Sequence, residues 1–388
     1  MPTPIIAFSK DWDDDRTSNH HILRQLARSR RVLWLNSVAT RAPSLGSGRD
    51  MRRVGRKLRE FVRGPVNVEN DLWVFTPLVL PLPESRIVRR LNGAILALTL
   101  WRLRRRLAMA DFQLWTFLPN VGDYVGRLGE SLSVYYCVDE WSLFTQLDEE
   151  RTRQAERLLL ERVDCVFAVN EALAEAKRPF NPETHVAPHG VDREHFKKAL
   201  SEDTTVPADL ARLPAPVLGF YGTIADWVDV GLLAQVAQLR PDWTLVLIGT
   251  ALIGTSALDR LPNVHLLGRR PYEALPAYCK GFDVALIPYL VSDQLPFRNP
   301  IKLREYLAAG LPIVSTPVPE VDHYAHSCAR VASAEEMVEA VEAALATDSA
   351  ERRVERSLSI ADETWEARAA DVARTVDALA SSRQRVAA

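Results

Sequence analysis

Short apolar, β-branched runs alternate along the chain with longer stretches of helical spacing. The runs predict strands at Ile5–Phe8, Val32–Asn36, Leu72–Phe75, Gln113–Phe117, Val134–Val138, Cys165–Val169 and His185–Ala187. The segments between them, such as Asn19–Ser29 and Glu149–Arg162, are long enough for helices. A polar stretch, HGVDREHFKKALSEDTTVPADL, begins at His189 and reads as a linker. The pattern then restarts at Val217–Tyr221, Thr244–Ile248, Val264–Leu267, Val284–Pro288, Ile313–Ser315 and Ala329–Val331. Strands separated by helices imply right-handed crossovers and parallel sheets. The expected fold class is therefore α/β, with two doubly wound, Rossmann-like domains. In such sheets ligands bind beyond the carboxyl ends of the strands, so two facing sheets would share one cleft.

Composition changes this picture in one place. The net charge is -2, but residues 41–110 hold 15 Lys/Arg against 5 Asp/Glu. Within that region, residues 51–63 and 86–106 combine helical apolar spacing with arginines. Each could be an amphipathic helix packed on the first sheet; together they suit an anionic membrane surface. No nucleic-acid motif accompanies them. Cys137, Cys165, Cys279 and Cys328 lack C-x-x-C spacing and read as buried free thiols in a reducing compartment. The N-terminus lacks the basic and apolar regions of a signal peptide, and Leu91–Trp101 is too short to span a bilayer, which takes ~20 residues. A cytoplasmic protein, peripheral on the inner membrane face, is expected. Neither G-x-G-x-x-G after the first strand nor a P-loop is present.

The most informative stretch is RNPIKLREYLAAGLPIVST, Arg298–Thr316. Asn299 suits an N-cap, Pro300 the first turn, Gly310 the position after the helix, and Pro312 blocks continuation. A helix over Pro300–Ala309 follows. Leu303 and Leu307 share its buried face, with Lys302 and Glu305 on the other side. A helix start carries unpaired N–H groups that favour phosphate. Lys302 adds charge there, and a carboxylate one turn on can accept both hydrogen bonds of a ribose diol. A solvated surface pair, worth only ~0.2–0.5 kcal/mol, is the plainer reading of the spacing.

The same stretch resembles the signature of family 4 (group 1) GT-B glycosyltransferases, through Pro300, Glu305, Gly310 and Pro312. "HGVDREHF", "VLGFYGTI", "LPNVHLLGRRPYEALPAYCKGFDVALIPY" and "ETWEARAADV" resemble further elements of that family, in its order. "YYCVDEW" and "GTIADWVDVGLL" are most similar to the bacterial cell-surface polysaccharide branch, such as teichuronic-acid-type transferases. The resemblance implies an acceptor domain at 1–195, a donor domain at 208–350 and a final helix, about 362–388, that crosses back to the first domain. It implies sugar transfer from a nucleotide sugar, commonly UDP-linked, to a glycan or lipid-linked acceptor, with no cofactor and no metal. Glu305 would bind the ribose, Gly222 and Thr223 would approach the diphosphate, and Lys302 with Arg298 would neutralise it. Three departures stand out. Phe297 occupies the place of a second acidic residue, Thr223 and Val228 replace an Arg and a Lys, and the first-domain His is absent from "LWTFLPN". Retaining and inverting chemistry both stay open, as do a sugar-nucleotide epimerase and a degenerate partner subunit.

An inverting transfer needs a base for the acceptor hydroxyl. Asp139, at the carboxyl end of a predicted strand, is the candidate, with Glu140 beside it; a helix N-cap is the alternative for Asp139. "KDWDDDRTSNHH" follows the first strand, and Asp15 and His21 are its candidate acceptor contacts. The adjacent histidines diverge on a helix, which argues against a metal.

Overall fold

The computed structural model describes residues 2–38, 48–80 and 86–387. The chain divides into two compact units, Met1–Pro188 with Arg368–Ala388, and His189–Ala367.

The first unit holds strands β1 (Ile5–Phe8), β2 (Val32–Leu35), β3 (Val66–Glu69), β4 (Leu72–Phe75), β5 (Gln113–Thr116), β6 (Leu132–Cys137), β7 (Cys165–Ala168) and β8 (Thr184–Val186). Their order in the sheet is β3-β4-β2-β1-β5-β6-β7-β8. All pairings are parallel except β3 with β4. β1, β2, β5, β6 and β7 are buried at every position, which is why their sequences run apolar without alternation. β3 was not expected: VNVE is a half-exposed edge strand with a register shift between Asn67 and Glu69. The final helix, Trp365–Ala387, is tied to this unit by Arg30, whose guanidinium donates to both oxygens of Asp377 at 3.2 and 3.0 Å.

The second unit holds β9 (Val217–Tyr221), β10 (Thr244–Ile248), β11 (Val264–Leu266), β12 (Val284–Ile287), β13 (Ile313–Ser315) and β14 (Cys328–Arg330), all parallel, in the order β11-β10-β9-β12-β13-β14. The chain winds outward in both directions from β9 and β12. The crevice beyond their carboxyl ends is the topological switch point, where ligands bind in such sheets.

The stretch read as a linker is part of this unit. Val191, Phe196, Ala199 and Leu210 are buried in its core, Val191 bridges to Thr364, and the Arg193 Nε donates to the Ser357 carbonyl at 2.8 Å. The boundary therefore falls after Pro188 rather than at 195–208, because four apolar residues in a polar string are enough to dock it. At the other end the unit continues past 350. The helix Ala350–Ser359 is fastened by Arg356, which donates to the Gly310 carbonyl and to Asp348.

Candidate active site

The site helix runs Ile301–Ala308, with Leu303 and Leu307 fully buried against the core. Gly310 follows at φ +80, the left-handed conformation expected of it. The N-cap position belongs to Pro300 rather than Asn299, whose side-chain oxygen accepts from Arg304 Nη1 at 2.9 Å. Glu305 is turned toward the end of β9 and is itself buried, only 6% exposed. One of its oxygens accepts from the Tyr221 hydroxyl at 2.7 Å. On the next residue, the Tyr306 hydroxyl accepts from the Tyr221 backbone N–H at 3.0 Å. The last residue of β9 thus grips two successive side chains of the site helix and fixes its rotation.

Burial pushes the Glu305 carboxyl up to about 7, against the opposing pull of the Tyr221 hydrogen bond and of Lys302. Burial and the Glu305 charge raise Tyr221, so its hydroxyl stays a donor. Among the described residues the second Glu305 oxygen has no protein donor, and Glu305 makes no ion pair with Lys302. Lys302 donates instead to the Tyr289 hydroxyl at 2.7 Å, just past β12, and lies 5.1 Å from the Phe220 ring centre.

Gly222 explains where that ammonium lies. It follows β9 at φ +135, and a Cβ there would sit 3.1 Å from Lys302 Nζ. Its carbonyl oxygen would lie 1.9 Å from a Cβ on Gly249, so both strand ends need glycine to come this close. Thr223 follows, half-buried, and Ile224 then bridges to Ala251 beyond β10. Lys302, Gly222 and Glu305 therefore meet at the switch point. Arg298 is held just before the helix, its guanidinium 4.8 Å from the Trp227 ring centre and 2.6 Å from the Gln294 side-chain oxygen.

Sequence reasoning missed Arg304. It is buried, donates to Glu363 at 2.8 Å and pairs with Glu320, so it clamps the site helix to two other segments. His189 is also buried, its Nδ1 without a hydrogen-bond partner among the described residues. Burial, with a lesser contribution from Arg304, lowers it to about 3 and keeps it neutral.

In the first unit, Asp139 is half-buried one residue beyond Val138, after the end of β6, and its backbone oxygen accepts from Cys137 Sγ at 3.4 Å. Glu140 is occupied within the protein: Ser142 donates to one oxygen at 2.7 Å and Lys177 to the other at 2.5 Å. Asp15 is exposed, and its backbone oxygen accepts from Lys10. His21 is buried. Its neighbour His20 accepts from the Thr17 N–H through Nδ1 and therefore donates through Nε2 to the Trp12 carbonyl. Burial lowers His20 to about 3, matching that neutral tautomer. No group of three or more His, Cys, Asp or Glu able to hold a metal ion occurs among the described residues.

The two basic segments are helices, Gly48–Arg63 and Arg86–Arg106; the side chains of residues 48–54, including Met51 and Val54, lie outside the described residues, as does that of Arg86. Leu58 and Val62 are exposed on the first, and Ile87, Leu91, Leu98 and Trp101 on the second. No described helix is long and apolar enough to cross a membrane. All four cysteines are free and buried.

Comparison with known proteins meets this geometry at the second unit. Residues 215–347 match the family model of glycosyl transferases group 1. The chain is 28% identical over 202 residues to TuaH of Bacillus subtilis (strain 168), provisionally named a teichuronic acid biosynthesis glycosyltransferase. The match covers 48% of this chain and 50% of TuaH, so the chain spans about half the length of that relative. Sucrose-phosphate synthase from Thermosynechococcus elongatus superposes with a TM-score of 0.69 at 15% identity, over 98% of this chain and all of that one. Anabaena Alr3699/HepE in complex with UDP gives 0.65 at 15% identity, over 97% of this chain and all of that one. The fold is that of these GT-B glycosyltransferase structures, and residues 215–347, within the second unit, are similar to the group 1 glycosyl transferases.

Proposed function

We propose that the chain transfers a glycosyl group from a nucleotide diphosphate sugar to a hydroxyl of a cell-surface glycan or lipid-linked acceptor. One observation carries this reading. At the switch point of the second sheet, a buried carboxylate with one unengaged oxygen stands beside an ammonium packed on a glycine turn. A ribose diol supplies the two donors that Glu305 lacks, and a diphosphate supplies the counter-charge for Lys302. The leaving diphosphate gains negative charge in the transition state, so a cation fixed beforehand at that point lowers the barrier. Arg298, Gly222 and Thr223 complete the donor contacts in this reading, and no metal is needed. UDP is the first nucleotide to test, because UDP is bound in the HepE structure.

Asp139 is assigned to the acceptor hydroxyl, as the base that an inverting transfer would need or, in a retaining one, as a group that positions a sugar hydroxyl. Asp15, His21 and Glu140 are assigned to the acceptor side, Glu140 through its hold on the Asp139 turn. The exposed apolar residues of helices Gly48–Arg63 and Arg86–Arg106, interleaved with Arg59, Arg63, Arg90, Arg102 and Arg105, support attachment to the inner face of an anionic membrane.

A thermal-shift panel of UDP-, GDP- and dTDP-glucose tests the donor assignment. A bound nucleotide sugar at 100 times its dissociation constant stabilises by about 2.7 kcal/mol. Stabilisation by one of the three supports the reading; no shift with any sugar nucleotide or free diphosphate removes it. Mass spectrometry of the donor with enzyme alone separates transfer from epimerisation, which would isomerise the sugar without an acceptor.

A further inference from the structure

Tyr221, the last residue of β9, carries a hydroxyl that the packing around it does not require. Its ring is buried, stacked on Phe196 with 6.3 Å between ring centres, and it meets the Tyr306 ring edge-on at 4.8 Å. A phenylalanine would make the same ring contacts, and a buried hydroxyl costs stability unless it is hydrogen-bonded. This hydroxyl serves one partner, a Glu305 oxygen at 2.7 Å. Among the described residues no other side chain donates to Glu305; Lys302, three residues earlier on the same helix, donates to Tyr289 instead. The titratable groups around the carboxyl are Tyr221, Lys302, Asp192, Cys279 and Tyr306. Burial pushes Glu305 up, Asp192 adds to that push, and Tyr221 leads Lys302 in pulling it back toward the ionised form.

A carboxylate can turn about its last bond. With one oxygen tied to the end of β9 that turn is blocked, and the other oxygen keeps one place in the site. A vicinal diol needs an acceptor fixed in this way to give up both of its hydrogen bonds; a ligand without those hydroxyls gains nothing from it. We propose that Tyr221 is a positioning residue for nucleotide selection: by tying one Glu305 oxygen to β9 it presents the other to the ribose hydroxyls, and so sets the preference of the site for a ribonucleoside diphosphate over one that lacks them. This rests on Glu305 binding the ribose. Groups that must be held to within ~0.5 Å of productive geometry depend on such locked neighbours.

The test is calorimetric titration of the full chain with UDP and GDP, each paired with its 2′,3′-dideoxy form. Wild type is compared with Tyr221→Phe, Glu305→Gln and the double variant. Tyr221→Phe removes a single oxygen and keeps the ring packing, so it should melt close to wild type. Wild type should bind one of the two ribonucleotides at least about thirtyfold more tightly than its dideoxy form. In Tyr221→Phe that preference should fall about tenfold, while affinity for the dideoxy form stays within about twofold of wild type. In the Glu305→Gln background, adding Tyr221→Phe should change the preference by less than about twofold, because both changes act on the same contact. An unchanged preference in Tyr221→Phe overturns the inference and leaves the hydroxyl as a packing bond. Equal losses for the ribose and dideoxy forms, the mark of a site merely loosened, overturn it too, as do losses that multiply in the double variant. Binding of neither ribonucleotide by wild type, or a preference untouched by Glu305→Gln, refutes the ribose contact and this inference with it. Because Glu305→Gln is measured separately, that result is distinguishable from failure of the Tyr221 role alone.

Discussion

The two sheets share a winding pattern but load their switch points differently. In the first unit, the end of β1 is internally satisfied. Ser9 accepts from Asn19 at 2.9 Å, Asp11 accepts from the Ser37 N–H and hydroxyl at 3.1 and 2.6 Å, and His20 is locked among Trp12 and Trp34. In the second unit, Lys302 is hydrogen-bonded to one tyrosine and Glu305 holds one tyrosine through a single oxygen. A satisfied lattice rigidifies a loop; a half-satisfied buried pair costs stability and is retained where a ligand completes it. The contrast supports the proposal that the donor binds at the second unit, with Asp139 the acceptor-side candidate in the first.

The sharpest way to break this contrast is Asp139→Asn, for which turnover should fall by roughly a hundredfold or more while donor affinity, measured by calorimetry, is unchanged. Lost affinity instead would place Asp139 in the donor site. Next comes Lys302→Met. Removing a charged hydrogen-bonding group costs roughly 1.5–3 kcal/mol, so diphosphate affinity should drop by on the order of ten- to a hundredfold, and free nucleoside should bind as before. A smaller effect follows from pH. Burial pushes the Glu305 carboxyl up to about 7 from the usual carboxylate range. Ligand affinity should therefore rise about tenfold from pH 6 to pH 8 in wild type and stay flat in Glu305→Gln. The sign for stability is opposite: the fold favours the protonated carboxyl, so the empty wild type should lose stability relative to Glu305→Gln as pH rises from about 4.5 to 7. The smallest effect is expected at the surface. One arginine near an anionic bilayer is worth ~1 kcal/mol, so Arg102→Ala should weaken binding to phosphatidylserine vesicles about fivefold at low salt. Equal partitioning of both proteins would detach this helix from the membrane reading.

The strands were legible because buried parallel strands run apolar, and β1, β4, β9, β10 and β13 begin and end where the sequence pattern puts them. β3 was not, because an edge strand reading VNVE lacks that run. The docked stretch after His189 was read as a linker because its composition is polar, although Phe196 and Leu210 decide its place. At the site, spacing put Lys302 and Glu305 on one side of their helix but could not show that Glu305 is buried against Tyr221, a partner 84 positions away. Arg304 and Lys177 escaped for the same reason. A charged residue on a helix ordinarily faces water, and only tertiary structure brings Glu363 to the first and Glu140 with Glu156 to the second.

Calorimetric titration of wild type and Glu305→Ala with UDP, GDP and dTDP tests the donor site most directly. Two hydrogen bonds to a charged group at roughly 1.5–3 kcal/mol each set the expectation: wild type binds one diphosphate, and the variant binds it at least about a hundredfold more weakly. Equal affinity in the two proteins, or no binding of any of the three by wild type, would contradict the account.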